Sequence, residues 1–164
     1  MPTIQISVQR FSVVSSKPFD SVVTKLAAAV GHPDMNAFTR DVTAAKTYAE
    51  LEQIIHKAVG EFGFMEFVRF NMGEILRKER GPEAPRILRI VIGNPLVMKQ
   101  MAAHVPDAAS YAPVTILIDE RPDGVHLSYD RMASYLAPYG SPEALKVAQN
   151  LDAKIEALLT AAAV

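Results

Sequence analysis

RILRIVIGNPLVMKQMAAHVPDAASYAPVTILIDERPDGVHLSYD, residues 86–130, decides the fold. RILRIVIG is a run of branched aliphatic residues that reads as a strand. Asn94 is a good helix N-cap, and Pro95 follows where its missing N–H costs nothing, so a helix should run from Pro95 to about Val105. VTILIDE and VHLSYD then flank RPDG, with Pro at the second and Gly at the fourth turn position, the pattern of an antiparallel hairpin.

Working outward toward the C-terminus, Ser141 and Pro142 open a long helix whose Ala148, Leu151, Ile155, Leu158 and Ala162 recur at three or four residues. At about 1.5 Å per residue, about 20 residues span roughly 30 Å, enough to cross a whole sheet. In the other direction, FGFMEFVRF reads as an aromatic strand buried on most of both faces, and MGEILRKERG as a short helix ended by Gly81 and Pro82. Thr47 with Glu50 makes a capping box before the apolar stripe Leu51, Ile54, Ile55, Ala58, Val59, which Gly60 and Gly63 end. Residues 33–46 are less periodic and read as a linker or insertion with one helical turn. Phe19, Val22, Val23, Leu26, Ala27 and Val30 follow helical spacing, stopped by Gly31 and Pro33. Ile4, Ile6 and Val8 alternate with polar residues before the parity changes to Phe11 and Val13, which predicts a first strand with a bulge near Gln9 and Arg10. One strand, helices, four strands interrupted by short helices and a long final helix make a two-layer α+β domain with an antiparallel sheet. No composition shift divides residues 1–164, so a single domain is expected.

With 17 Lys and Arg against 18 Asp and Glu, the chain has no global field of the kind a nucleic-acid binder or polybasic membrane protein uses. No apolar stretch approaches the roughly 18 residues of a membrane span, and MPTIQISVQRF lacks the form of a signal peptide, so a cytoplasmic protein is expected. The absence of cysteine excludes thiolate catalysis, Cys-ligated zinc and iron–sulfur clusters. None of the common nucleotide, hydrolase or zinc-protease motifs occurs, and the histidines at 32, 56, 104 and 126 are never three to five residues apart.

Met98, Met101 and His104 share one side of the helix after Asn94, where they serve either as packing or as the rim of a pocket. A His/Met helix is also the kind of element that can hold haem. Tyr111 and Tyr129 have apolar bodies and polar tips that suit a pocket orienting a small molecule, and Tyr135 and Tyr139, one turn apart, can form one of its walls. His126, on the polar side of its strand, is expected to face solvent. RKERGPEAPRILR carries five basic residues against two acidic ones and reads as a solvated turn of alternating ion pairs before it reads as an anion patch.

Together with RFSVVSSKPFDSVV, VGHPDM, FMEFVRFNMGEILRKE and DRMASYLAPYG, the stretch from Ile92 to Asp130 resembles the bacterial family called domain of unknown function 302 over nearly the whole chain. The resemblance implies a fold similar to the TATA-box-binding-protein-like class, a curved antiparallel sheet gripping a long C-terminal helix, and a homodimer. A sheet that bound DNA through its phosphates would carry a basic excess, whereas VTILIDE and VHLSYD bring acids to their ends, so nucleic acid is not an expected partner.

Three functions compete. A small-molecule-binding module would use Met98, Met101, His104, Tyr111 and Tyr129 as lining. An enzyme would pair His104 or His126 with Asp119 or Asp130 as acid and base on a small substrate. A structural or interaction homodimer would spend the 49% hydrophobic residues on core and interface alone.

Overall fold

The structure, a computed structural model, describes residues 3–164. β1 (Arg10–Ser15) leads into three helices, α1 (Phe19–Ala29), α2 (Met35–Ala44) and α3 (Tyr48–Ala58). β2 (Met65–Asn71), α4 (Gly73–Arg80), β3 (Ile87–Gly93), α5 (Pro95–Ala102) and α6 (Ala108–Tyr111) follow. The hairpin β4 (Val114–Arg121) and β5 (Gly124–Asp130) comes next, then α7 (Met132–Leu136), a 3-10 turn at Ala137–Tyr139, and α8 (Pro142–Ala163). The five strands make an open antiparallel sheet in the order β1-β5-β4-β3-β2, so the fold is α+β.

Cross-strand partners share a face, so register assigns every side chain to one side. Phe11 opposes Tyr129, which opposes Ile116, which opposes Ile90. These residues, with Val13, Leu88, Ile92, Ile118 and Leu127, form the inner face and share one core with Leu151, Ile155, Leu158 and Leu159 of α8 and Val22 and Leu26 of α1. The other parity makes an outer face with a row running Ser12, Ser128, Leu117, Arg89, Phe70 across all five strands.

The caps expected from sequence form. The Asn94 side chain accepts from the Leu96 amide at 2.9 Å while its own amide donates to the Gly63 carbonyl at 2.9 Å, tying α5 to the entry of β2. Thr47 accepts from the Glu50 amide at 3.2 Å, and Ser141 from the Ala144 amide at 3.2 Å. The hairpin and α8 stand where patterning put them.

Elsewhere the structure differs. Residues 3–9 contribute no strand; Ile4 is 57% exposed, and the sheet begins at Arg10, where Asp130 supplies the first partner. Alternation alone thus had no neighbour to pair with. Residues 35–44 are a full helix, capped by Asp34, which accepts from the Ala37 amide at 2.7 Å; none of its residues is fully buried, which is why its apolar stripe is thin. α5 stops at Ala102, short of Val105. β2 is an edge strand, and Phe70 on its outer face is 42% exposed, so the aromatic stretch is not covered on both sides.

Gly31 and Gly60, which the sequence marks only as helix stops, cross backbone to backbone. Both donate to the Phe64 carbonyl at 2.9 Å, and the Gly31 carbonyl accepts from the Glu66 amide at 2.8 Å. This junction locks the ends of α1 and α3 to the start of β2. Among the described residues no helix is long and apolar enough to cross a membrane.

Candidate ligand-binding cleft

Two short helices set the walls. Tyr111 ends α6 and Tyr135 lies on α7, and their rings stack with centroids 4.8 Å apart and planes 17° from parallel. The Tyr111 and Tyr139 hydroxyls share a hydrogen bond at 3.0 Å, which, with burial and nearby Asp107, pushes the Tyr139 phenol above its usual range. Burial and then the charge of Asp130 push the Tyr135 phenol up as well, so it stays a neutral hydroxyl at physiological pH.

α7 owes its position to a residue on another helix. Arg131, at its N-cap, makes no side-chain cap. Asp152 of α8 instead accepts from the amides of Met132 at 2.8 Å and Ala133 at 3.1 Å, and from the Tyr129 hydroxyl at 2.6 Å. Asp152 is only 5% exposed. Burial pushes its carboxyl up, against the pull of the three donors, while burial and then the neighbouring Asp152 push the Tyr129 phenol up.

Between the tyrosine pair and the outer face of the sheet lies a cleft of about 290 Å³. Its floor is Arg89, Thr115, Leu117, Ser128 and Asp130; Tyr111, Pro113, Met132 and Tyr135 flank it. Arg10 holds Asp130 through two hydrogen bonds, at 2.6 and 2.8 Å. Arg89 is turned to Thr115, whose hydroxyl accepts from it at 3.3 Å.

The residues singled out in the sequence fall into separate places. Tyr111 and Tyr129 border the cleft, although Tyr129 is an inner-face residue whose hydroxyl is already given to Asp152. Met98 and Met101 line a second, apolar cavity of about 90 Å³ with Val97, Pro95 and Leu151, which shares only Pro113 and Val114 with the cleft. His104 is exposed beyond the end of α5 and borders neither. The three residues that suggested haem therefore do not meet around one space, and 90 Å³ is well below the ~300 Å³ where cofactor pockets begin.

Of the four named acid and base residues, His104 is thus outside the cleft, and the other three are partnered differently. His126 and Asp119 face each other across β4 and β5, yet the His126 ring contacts Asp123 at 2.8 Å and Asp119 takes the Arg121 guanidinium at 2.6 Å. Asp130 belongs to Arg10. With its side chain 12% exposed, His126 is more enclosed than its polar parity suggested. Among the described residues no group of three or more His, Asp or Glu can hold a metal ion.

Sequence reading reached Tyr111, Tyr135 and Tyr139 but missed Arg89, Ser128 and Asp152. A signal existed for the first two: in RILRI and VHLSYD they take the polar places of an alternating pattern, which fixes them to one face. None existed for Asp152, which sits inside the apolar stripe of α8 and is explained only by the helix end it caps.

The family model described as Domain of unknown function DUF302 matches residues 38–162. Among solved structures, the chain is similar to an uncharacterized conserved protein DUF302 from Bacillus stearothermophilus, with a TM-score of 0.65 and 10% sequence identity over 93% of this chain and 97% of that one. No curated protein matches the sequence.

Proposed function

The chain belongs to the DUF302 family, and on that footing we propose that it is a small-molecule-binding module whose ligand lies in the cleft between the tyrosine pair and the sheet. The observation that carries this reading is the stacked Tyr111 and Tyr135 wall standing over a polar floor, an apolar surface facing a few convergent hydrogen-bonding groups. Native mass spectrometry of protein purified from its own source tests it. A stoichiometric mass lost on denaturation is expected, and Tyr111→Ala should weaken its retention about tenfold or more. Retention unchanged in Tyr111→Ala would place the ligand elsewhere.

A homodimer is a second reading, favoured by Val68, Phe70, Met72 and Ile75, which stay exposed along and just beyond the β2 edge. On this reading light scattering at micromolar concentration returns twice the chain mass, and Phe70→Glu returns the monomer. A monomer in both removes it.

A further inference from the structure

We propose that the cleft takes an oxyanion carried on a planar apolar body, with the Arg89 guanidinium as its counter-ion. The inference rests on the binding reading above and gives that reading a ligand class.

The basic stretch from Arg77 to Arg89 supplies the first argument. Most of it is neutralised: Arg77 and Lys78 pair with Glu74, Arg80 with Glu79, and Arg86 with Asp20. Arg89 is the exception. Among the described arginines only Arg40 shares with it the lack of a carboxylate partner; Arg40 lies on α2, and neither it nor any lysine lines the cleft.

Position supplies the second. Arg89 leans toward Thr115 and so into the cleft, with the Phe70 ring 5.7 Å from its guanidinium carbon on the outer side. Across the same sheet row, beyond Leu117, stands Ser128, whose hydroxyl makes no hydrogen bond among the described residues. Arg10 and Asp130 cancel one another at the rim, so the cleft has one uncompensated positive charge beside free hydroxyl donors. That set matches an oxyanion, because a guanidinium and hydroxyls all donate, and a ligand that displaces water from an arginine must return an acceptor. Leu117, Met132, Pro113 and the tyrosine stack surround the rest of the space with flat or apolar surface, which suits a ring.

Carboxylate and phosphate share this chemistry, and the probes separate them. Benzoate, phenyl phosphate and benzamide are titrated into the full chain while the tyrosine ring resonances are followed by NMR. At least one anion should bind about tenfold or more tighter than neutral benzamide; the tighter anion identifies the source. Arg89→Gln should erase that preference. Asp130→Asn, which frees Arg10, should raise anion affinity several-fold, a gain that impaired folding cannot mimic. Equal binding of anion and amide, with Arg89→Gln silent, overturns the anion while leaving the cleft as a binding site. Failure of all three probes to shift Tyr111 and Tyr135 overturns both.

Discussion

Gly31→Ala is expected to cost at least about 3 kcal/mol of unfolding free energy, read as a lowered urea midpoint with unchanged slope. A Cβ added there would stand 1.9 Å from the Ala58 carbonyl oxygen and 2.9 Å from the carbonyl carbons of Ala58 and Val59. All three atoms are backbone, so no rotamer change relieves the contact; α3 must move away from α1. Movement in turn strains the hydrogen bonds that Gly31 and Gly60 both donate to Phe64, the contacts that start β2. The conformation of Gly31 is not the issue, since the glycines with positive φ are Gly63, Gly81, Gly124 and Gly140. Close approach is. Gly63→Ala separates the two effects, because a Cβ there meets nothing within 4 Å and only the φ of 80° resists it; a cost of about 1 kcal/mol is expected. Equal costs at the two sites would contradict the crossing.

Asp152→Ala is expected to cost about 3 kcal/mol at neutral pH, by the same measurement, because it leaves two donors without an acceptor and weakens the bonding of a third around a nearly buried side chain. The Ala133 amide and the Tyr129 hydroxyl lose their acceptor, while the Met132 amide keeps only its longer contact, to the Tyr129 hydroxyl oxygen at 3.1 Å. Tyr129→Phe removes one donor and leaves the carboxylate its two amides, so about 1 kcal/mol is expected. The pH dependence has a definite sign. Burial raises the folded-state pKa of Asp152 above the ordinary carboxylate value. Its contribution is therefore full below that ordinary value and declines as pH rises through the folded pKa. The gap between wild type and Asp152→Ala should be widest in acid and narrow toward neutrality. A gap that instead widens with pH would mean the three donors outweigh burial.

The two positions also mark where a linear reading stops. The Asn94-Pro95 start, the RPDG hairpin and the stripe of α8 were legible because each is decided by residues within a turn or two of one another. Alternation at Ile4, Ile6 and Val8 was equally regular, yet a strand needs a partner, and pairing starts only at Arg10. The glycines 31 and 60 were readable as stops but not as each other's neighbours. Tyrosine chemistry pointed to residues that border the cleft, whereas the methionines and His104, chosen by helical spacing, point to a different cavity and to solvent. Arg89 was hidden by its own neighbourhood: five basic residues in one stretch look alike until the structure hands acids to all but one of them.

The sheet order has a last consequence, for the chain as it is being made. β1 is an edge strand whose one partner is β5, and the Arg10 and Asp130 side chains that join across them are 120 positions apart. At about 5–20 residues added per second, β1 waits on the order of ten seconds after leaving the ribosome before its partner exists. During that time Phe11, Val13 and Val14 lie along an unpaired strand that any neighbouring nascent chain can extend. Arg10 and Lys17 bracket them, and charge at both ends is what keeps such a strand from pairing early with the wrong molecule. The Arg10 side chain that later holds Asp130 at the mouth of the cleft thus has an earlier duty as a guard.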